Sequence, residues 1–443
     1  MKPRSQRIAG GLAVVLSVLA YAALAYATPR AHFLQVLVLL IVAFGCYATL
    51  LACQLPLRTG LLVALVFRLL WLPALPTLSD DYYRFHWDGL LVASGQNPFR
   101  YRPDELLPAT NSLQSTDNQR LAAIYPRLNS PHYYSVYPPV CQMVFGGAAV
   151  IFPGNERGAV LLMRLVLLAA EACTAGLLLR LLAHYGFPAQ RALWYLLNPL
   201  VVIELVGNLH FEALVICFFL LAVWLLVRGR WQWSAAVLGL AAATKLLPLL
   251  LLPLLGRRLG WRRFWRYVLL TGATLLVLFA PFFSSDLLEH LARSLGLYFH
   301  NFEFNASLYY LLRPIGYWLT GYNQIAYIGP GLAVLTAVGG LLYAWREKNP
   351  TLFSLPNACL LILTLYYLLA TIVHPWYLTP LVALSVFTRY RYALVWSAMA
   401  MLSYATYQTS AYTENLGLVA LEYAVVLSVW VYDVRRPQPL TNS

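Results

Sequence analysis

Residues 33–53 read FLQVLVLLIVAFGCYATLLAC, without a single charge. At about 1.5 Å per residue, a helix of this length spans the roughly 30 Å hydrocarbon core of a bilayer. The run is a continuous Leu/Val/Ala block and lacks the alternation of a membrane β-strand. Without water to satisfy its backbone groups, it must be helical. Comparable blocks recur through the 443 residues, which are 60% hydrophobic and 11% charged, with a mean hydropathy of +0.65. The chain reads as all-α, a polytopic transmembrane helix bundle of about 12 to 14 spans. Fourteen crossings are expected, at 8–27, 33–53, 59–76, 159–183, 190–206, 210–227, 231–244, 246–256, 267–283, 325–345, 355–373, 376–388, 391–409 and 416–433.

The net charge of +14 does not point to nucleic acid, because the basic residues sit in short clusters between apolar runs, as the positive-inside rule requires. With the amino terminus inside, Arg58, Arg191, Arg228, Arg230, GRRLGWRRFWR, REK, RYR and DVRR all fall on the cytoplasmic side, with Glu347 and Asp433 as the acidic residues there. The start, MKPRSQR followed by an apolar run and Ala25 to Thr28 (AYAT), imitates a signal peptide and is read as an uncleaved first span. Cys46, Cys53, Cys141, Cys173, Cys217 and Cys359 show no CxxC or paired-His spacing and read as small core residues, with neither disulfide nor metal implied.

Two apolar stretches, Val140 to Pro153 and Ser307 to Thr320, are too short to cross and are expected to be re-entrant or interfacial. The chain is then a single membrane domain over 1–443 with two large outer segments, 77–158 and 284–324, which with short outer turns hold most of the acidic residues.

Five constellations fall on that outer side. SDDYYRFHWDG places Asp80 and Asp81 beside Arg84 and Asp88. A partly desolvated carboxylate at a membrane face can serve as general base. Adjacent residues on a helix point about 100° apart, so the two aspartates do not share one task, and Ser79-Asp80 also reads as an N-cap. GQNPFRYRP alternates Arg100 and Arg102 with Phe99 and Tyr101, cations for an anion and rings for a sugar or the interface. In NPLVVIELVGNLHFEALV, Glu204 lies within the apolar run and Asn208, His210 and Glu212 gather at its outer end. Lys245, alone in LAAATKLLPLLLL, is placed at an outer turn and wants an anionic partner such as a lipid-linked phosphate. VHPWYL ends one span at His374, opens the next at Pro375, and adds Trp376 and Tyr377 as interfacial rings. Each motif also has a plain structural reading: capping, interfacial anchoring, snorkelling, or hydrogen bonding among helix ends.

The ordered set SDDYYRFHWDG, NPFRYRP, Tyr137-Pro138-Pro139, NPLVVIELVGNLHFEAL, TKLLPLLLLP, NFEFNASLYYLL and HPWYL, over most of residues 70 to 385, resembles the GT-C superfamily of polyprenyl-phosphate-sugar-dependent glycosyltransferases. Within it the likeness is to the bacterial alpha-mannosyltransferase-like proteins of family 87 and to GPI mannosyltransferase I. The resemblance implies a glycosyltransferase of the inner (cytoplasmic) membrane that moves one hexose, mannose by this likeness, from a polyprenyl-phosphate donor to a lipid or glycan hydroxyl at the outer face, with inversion. It maps the base onto Asp80 or Asp81, and leaves open which of them acts and whether a divalent metal takes part; no metal or other cofactor is favoured. The residues themselves suggest Arg84, Arg102, Lys245 and His374 around the donor phosphate, with Asn208, His210 and Tyr377 as further substrate contacts. A transporter or flippase for lipid-linked sugars, or a carrier-lipid glycan ligase or polymerase, would need similar outer charges. The absence of internal repeat symmetry favours the enzyme.

Overall fold

The run that opens the sequence analysis folds as α2 (Phe33–Ala52), packed antiparallel on α1 (Arg4–Tyr26) through a turn at 27–32. The computed structural model describes residues 4–109, 116–409 and 412–436. Among them there is no strand, only one parallel bridge between Phe304 and Ile372.

α3 (Leu57–Leu69) leads into an irregular segment, and α4 (Asp81–Ala93) begins where the aspartate pair stands. α5 (Pro103–Ala109) and α6 (Thr116–Ile124) are short. α7 (Pro139–Ile151) returns against α4, and α8 (Glu156–His184) is a long apolar helix. Then follow α9 (Ala192–Leu196), a π-helical turn at Val201–Gly207, α10 (Glu212–Val227) and α11 (Trp231–Ala242). α12 (Pro253–Leu259) and α13 (Trp261–Phe279) precede two amphipathic helices, α14 (Leu287–His300) and α15 (Leu308–Thr320). α16 (Ile325–Arg346), α17 (Leu355–Leu369), α18 (Thr379–Ser385), α19 (Tyr392–Met399) and α20 (Leu416–Arg435) complete the bundle.

Six of these helices are long and apolar enough to cross a membrane, and a seventh crossing results if the π-helical turn and α10, bent by 109° at their junction, count as one span. This is a multi-pass, all-α membrane protein. Fourteen unbroken crossings are not what forms. The expected spans at 59–76, 190–206, 231–244, 246–256, 376–388 and 391–409 are made of short or broken helices. Proline supplies much of the reason, since it removes a backbone donor and disfavours helix in the residue before it. Pro73 and Pro76 follow α3, Asn198-Pro199 precedes the π-helical turn, and Pro375 and Pro380 divide the stretch around α18.

The two stretches expected not to cross each form one helix of 13 residues, α7 and α15. α15 carries Pro314 and buries only Tyr309 and Gly316, while Leu311, Trp318 and Leu319 point outward. None of the six cysteines forms a disulfide, and Cys173 is exposed while the rest are buried.

α4 and α7 approach closely because glycine stands where they cross. A Cβ on Gly89 would lie 2.4 Å from the Phe145 carbonyl oxygen, and one on Gly146 would lie 2.4 Å from Val92 Cγ1. Gly89→Ala should therefore lower stability by about 1–3 kcal/mol, the usual cost of overpacking. Thermal unfolding of the purified protein checks this, with Gly176→Ala, where an added Cβ meets nothing within 4 Å, as the neutral control.

Candidate active site

Asp80 occupies the N-cap position of α4, but its side chain makes no cap bond. It pairs instead with Arg30 from the α1–α2 turn. Ser79 is the nearer capping group, its Oγ accepting from the Asp81 amide at 3.3 Å. The Arg30 guanidinium lies 4.9 Å from the centre of the Tyr407 ring. The aspartates are thus divided, as their directions on a helix require. Asp81 accepts a hydrogen bond from Asn129 Nδ2 at 2.9 Å. Burial raises its carboxyl pKa, nearby His210 opposes that rise, and the Asp80 and Glu212 charges add to it.

His210 arrives from a different part of the chain. The π-helical turn ends at Gly207, Leu209 adopts a positive φ of 63°, and the chain reverses into α10. His210 Nε2 lies 3.2 Å from Glu204 Oε2, and the same carboxylate accepts from Asn208 Nδ2 at 3.0 Å and from Tyr404 Oη at 2.6 Å. The imidazole stacks on Trp376 at 3.8 Å, and His374 stacks on Trp376 at 4.4 Å with an interplanar angle of 3°. Trp376 is therefore flanked by both imidazoles. The bridge at Phe304 fixes this end of the stack: Phe304 donates to the Thr371 carbonyl and accepts from Val373, and its ring lies 4.5 Å from His374.

Burial, reinforced by the nearby His210 and Lys245 charges, lowers the His374 pKa to about 3. A neutral imidazole can donate through one nitrogen and accept through the other. His374 Nδ1 is buried and meets no hydrogen-bond partner among the described residues.

Lys245 follows the end of α11, before the 3-10 turn Leu247–Leu251. Its ammonium lies 2.5 Å from Glu212 Oε1 and 3.6 Å from the centre of the Tyr377 ring. The partner that an isolated membrane lysine requires is thus supplied by the protein itself. One third of the Lys245 side chain stays exposed while Glu212 is buried, so the cation retains an open side. Two residues on, Leu247 and Pro248 join Val215, Phe219, Leu363 and Pro380 around a small cavity of about 30 Å³ lined wholly by apolar side chains.

The structure thus brings Asn208, His210, Lys245, His374 and Tyr377 into one chain of contacts, with Asp81 near enough to His210 to feel its charge. It does not bring Arg84 or Arg102 there. Arg84 is buried, donating to Asp88 Oδ1 at 2.8 Å and to the carbonyls of Ser130 and Tyr133. Asp88 stands one turn along the same helix and is nearer than any phosphate would be. Arg84 instead holds the loop that presents Asn129 to Asp81. Arg102 pairs with Asp104 and Glu105 at the start of α5, acids close enough in sequence to claim it.

Arg30, Asn129 and Tyr404 were not selected from sequence. Arg30 did carry a signal, a cation in a turn expected on the outer side, where the positive-inside rule allows few. Asn129 and Tyr404 carried none, since polar and aromatic residues are common in such loops.

Residues 9–260 match the sequence profile of a family described as "Alpha-(1->6)-mannopyranosyltransferase, N-terminal domain". The chain is 27% identical over 226 residues to Alpha-(1->6)-mannopyranosyltransferase A of Mycobacterium tuberculosis (strain ATCC 25618 / H37Rv), covering 48% of this chain and 42% of that protein. It is 29% identical over 156 residues to Alpha-(1->6)-mannopyranosyltransferase B of Corynebacterium glutamicum, covering 35% of this chain and 24% of the relative. The matched part thus spans less than half the length of either relative. The profile covers Asp80, Asp81, His210, Glu212 and Lys245, and ends before His374. With more than half its residues inside that profile, the chain belongs to the alpha-(1->6)-mannopyranosyltransferase family, through the family's N-terminal domain.

Proposed function

We propose that the protein is a mannosyltransferase that moves one mannose from a polyprenyl-phosphate donor to a lipid or glycan hydroxyl at the outer face of the cytoplasmic membrane, with inversion. The observation that carries the reading is the linked set Asp81, His210, Trp376, His374, Tyr377 and Lys245: a carboxylate at one end and a partly open cation at the other. The family match and the names of the two relatives support the sugar and the reaction class.

In this reading Asp81 takes the proton from the acceptor hydroxyl as that oxygen attacks the anomeric carbon. Its raised pKa keeps it basic enough for the task. The bond from the anomeric carbon to the phosphate oxygen breaks, and negative charge grows on the departing polyprenyl phosphate. Lys245 faces that charge from a site of low dielectric, where a fixed cation is most effective. Neutral His374 donates a hydrogen bond to a phosphate oxygen. The wholly apolar surroundings of Leu247 and Pro248, two to three residues from Lys245, support a lipid-linked donor over a nucleotide sugar. Asp80, held by Arg30, keeps the outer loop in place.

The proposal includes metal independence, because Lys245 supplies the positive charge that the departing phosphate needs. Reconstituted protein given radiolabelled polyprenyl-phosphate mannose, glucose or arabinose with membrane lipid extract as acceptor tests the reading. Label from the mannose donor should enter the acceptor at the same rate with and without EDTA. Movement of intact donor across the bilayer without transfer would instead identify a flippase, and loss of activity in EDTA restored by a divalent ion would remove the metal-free mechanism.

A further inference from the structure

Arg164 lies in the first third of α8 and is fully buried, yet among the described residues no carboxylate pairs with it. Its guanidinium is spent on four backbone carbonyls. Nε and Nη2 donate to Val206 and Gly207 at 2.8 and 3.0 Å, and Nη1 donates to Leu72 and Ala74 at 3.0 and 2.5 Å. The first pair closes the π-helical turn, whose last carbonyls lack intrahelical donors, three residues before His210. The second pair closes the irregular segment after α3, six residues before Asp80. The two segments also touch directly: a Cβ on Gly207 would lie 2.7 Å from the Trp71 ring.

We propose that Arg164 is a positioning residue that ties the two halves of the active site together, fixing the segment that delivers Asp81 against the turn that delivers His210. The inference rests on the reading of Asp81 as base. Arginine suits the task because its planar fork presents donors on two sides in fixed geometry, whereas lysine offers one point charge that does not span both carbonyl pairs. A cation paired with a carboxylate would neutralise charge. One shared among four carbonyls of two segments sets a distance. The strained Leu209 between Gly207 and His210 leaves little slack by which the turn could absorb a shift.

The test compares Arg164→Lys with wild type in nanodiscs, scoring folded fraction, kcat, KM for polyprenyl-phosphate mannose, and the acid limb of the kcat–pH profile. Asp81 is faced by Asp80 from its own segment, by His210 and Glu212 from the reversal into α10, and by Tyr407 from the carboxy-terminal part. Moving His210 therefore moves the limb. A misplacement of about 1 Å should lower kcat about 100-fold per folded molecule with KM changed by less than about three-fold, and the limb should shift. Wild-type kcat and limb in folded Arg164→Lys would overturn the proposal, as would a loss that merely tracks the folded fraction while the limb stays in place. If Arg164→Lys does not fold, Gly207→Ala decides, since it wedges the same joint and leaves the guanidinium intact. It should show the same loss and shift, recovered by adding Trp71→Leu, and wild-type behaviour would overturn the proposal. Asp81→Asn runs alongside: full activity there defeats the base assignment, whereas an inactive Asp81→Asn beside an unaffected Arg164→Lys defeats only the role of Arg164.

Discussion

Asp81→Asn should abolish mannosyl transfer, with a loss of about 10²–10⁴ in kcat, the range a positioned general base contributes, whereas Asp80→Asn should keep transfer within about ten-fold of wild type. The contrast follows from the partners. Asp80 is committed to the Arg30 ion pair, which occupies the carboxylate that would have to meet the acceptor hydroxyl. Among the described residues Asp81 has a neutral amide as its side-chain hydrogen-bond donor, and burial raises its pKa. A base must be ionised to work, so activity should fall as pH drops through that raised pKa. The acid limb should therefore lie above the ordinary carboxylate range and disappear from the residual activity of Asp81→Asn. Steady-state transfer across pH, with donor binding measured in parallel, checks all of this. An inactive Asp80→Asn beside an active Asp81→Asn would reverse the assignment.

Lys245→Met should lower kcat by about 10²–10³, the effect of removing one preorganised charge-stabilising group from a transition state. It also leaves Glu212 buried without its cation. Breaking a fully buried pair costs about 3–5 kcal/mol, but Lys245 is one third exposed, so water takes up much of that loss and the decrease in stability should be smaller. Two effects in one variant would confuse the reading, and a second variant separates them. Lys245→Met with Glu212→Gln removes the stranded carboxylate and should restore thermal stability while transfer stays low. Recovery of transfer together with stability would show that Lys245 serves the fold alone and would transfer the phosphate role elsewhere.

Part of this was legible in residue order, and the rest was not. The apolar blocks state an all-helical membrane protein, because a chain in hydrocarbon must satisfy its own backbone. The basic residues, clustered between those blocks, state a membrane topology and no nucleic-acid surface, because insertion sorts Lys and Arg across the membrane. The family likeness also lay in the order of the motifs from Asp80 to His374, an order that sequence displays directly. Tertiary structure decided how the groups pair. Arg84 and Arg102 looked as available for phosphate as Lys245, and only the fold shows the first committed to Asp88, the second to Asp104 and Glu105, and the third left with an open side. Asp80 and Asp81 are chemically identical neighbours in sequence; Arg30, some fifty positions away, separates them. Trp376 looked like an interfacial ring until His210 and His374 were found on its two faces. A sequence carries local periodicity and the solvation preference of each residue, so it fixes which segments enter the membrane. The partner of a buried charge is a matter of distance between segments far apart in the chain, and only packing sets that distance.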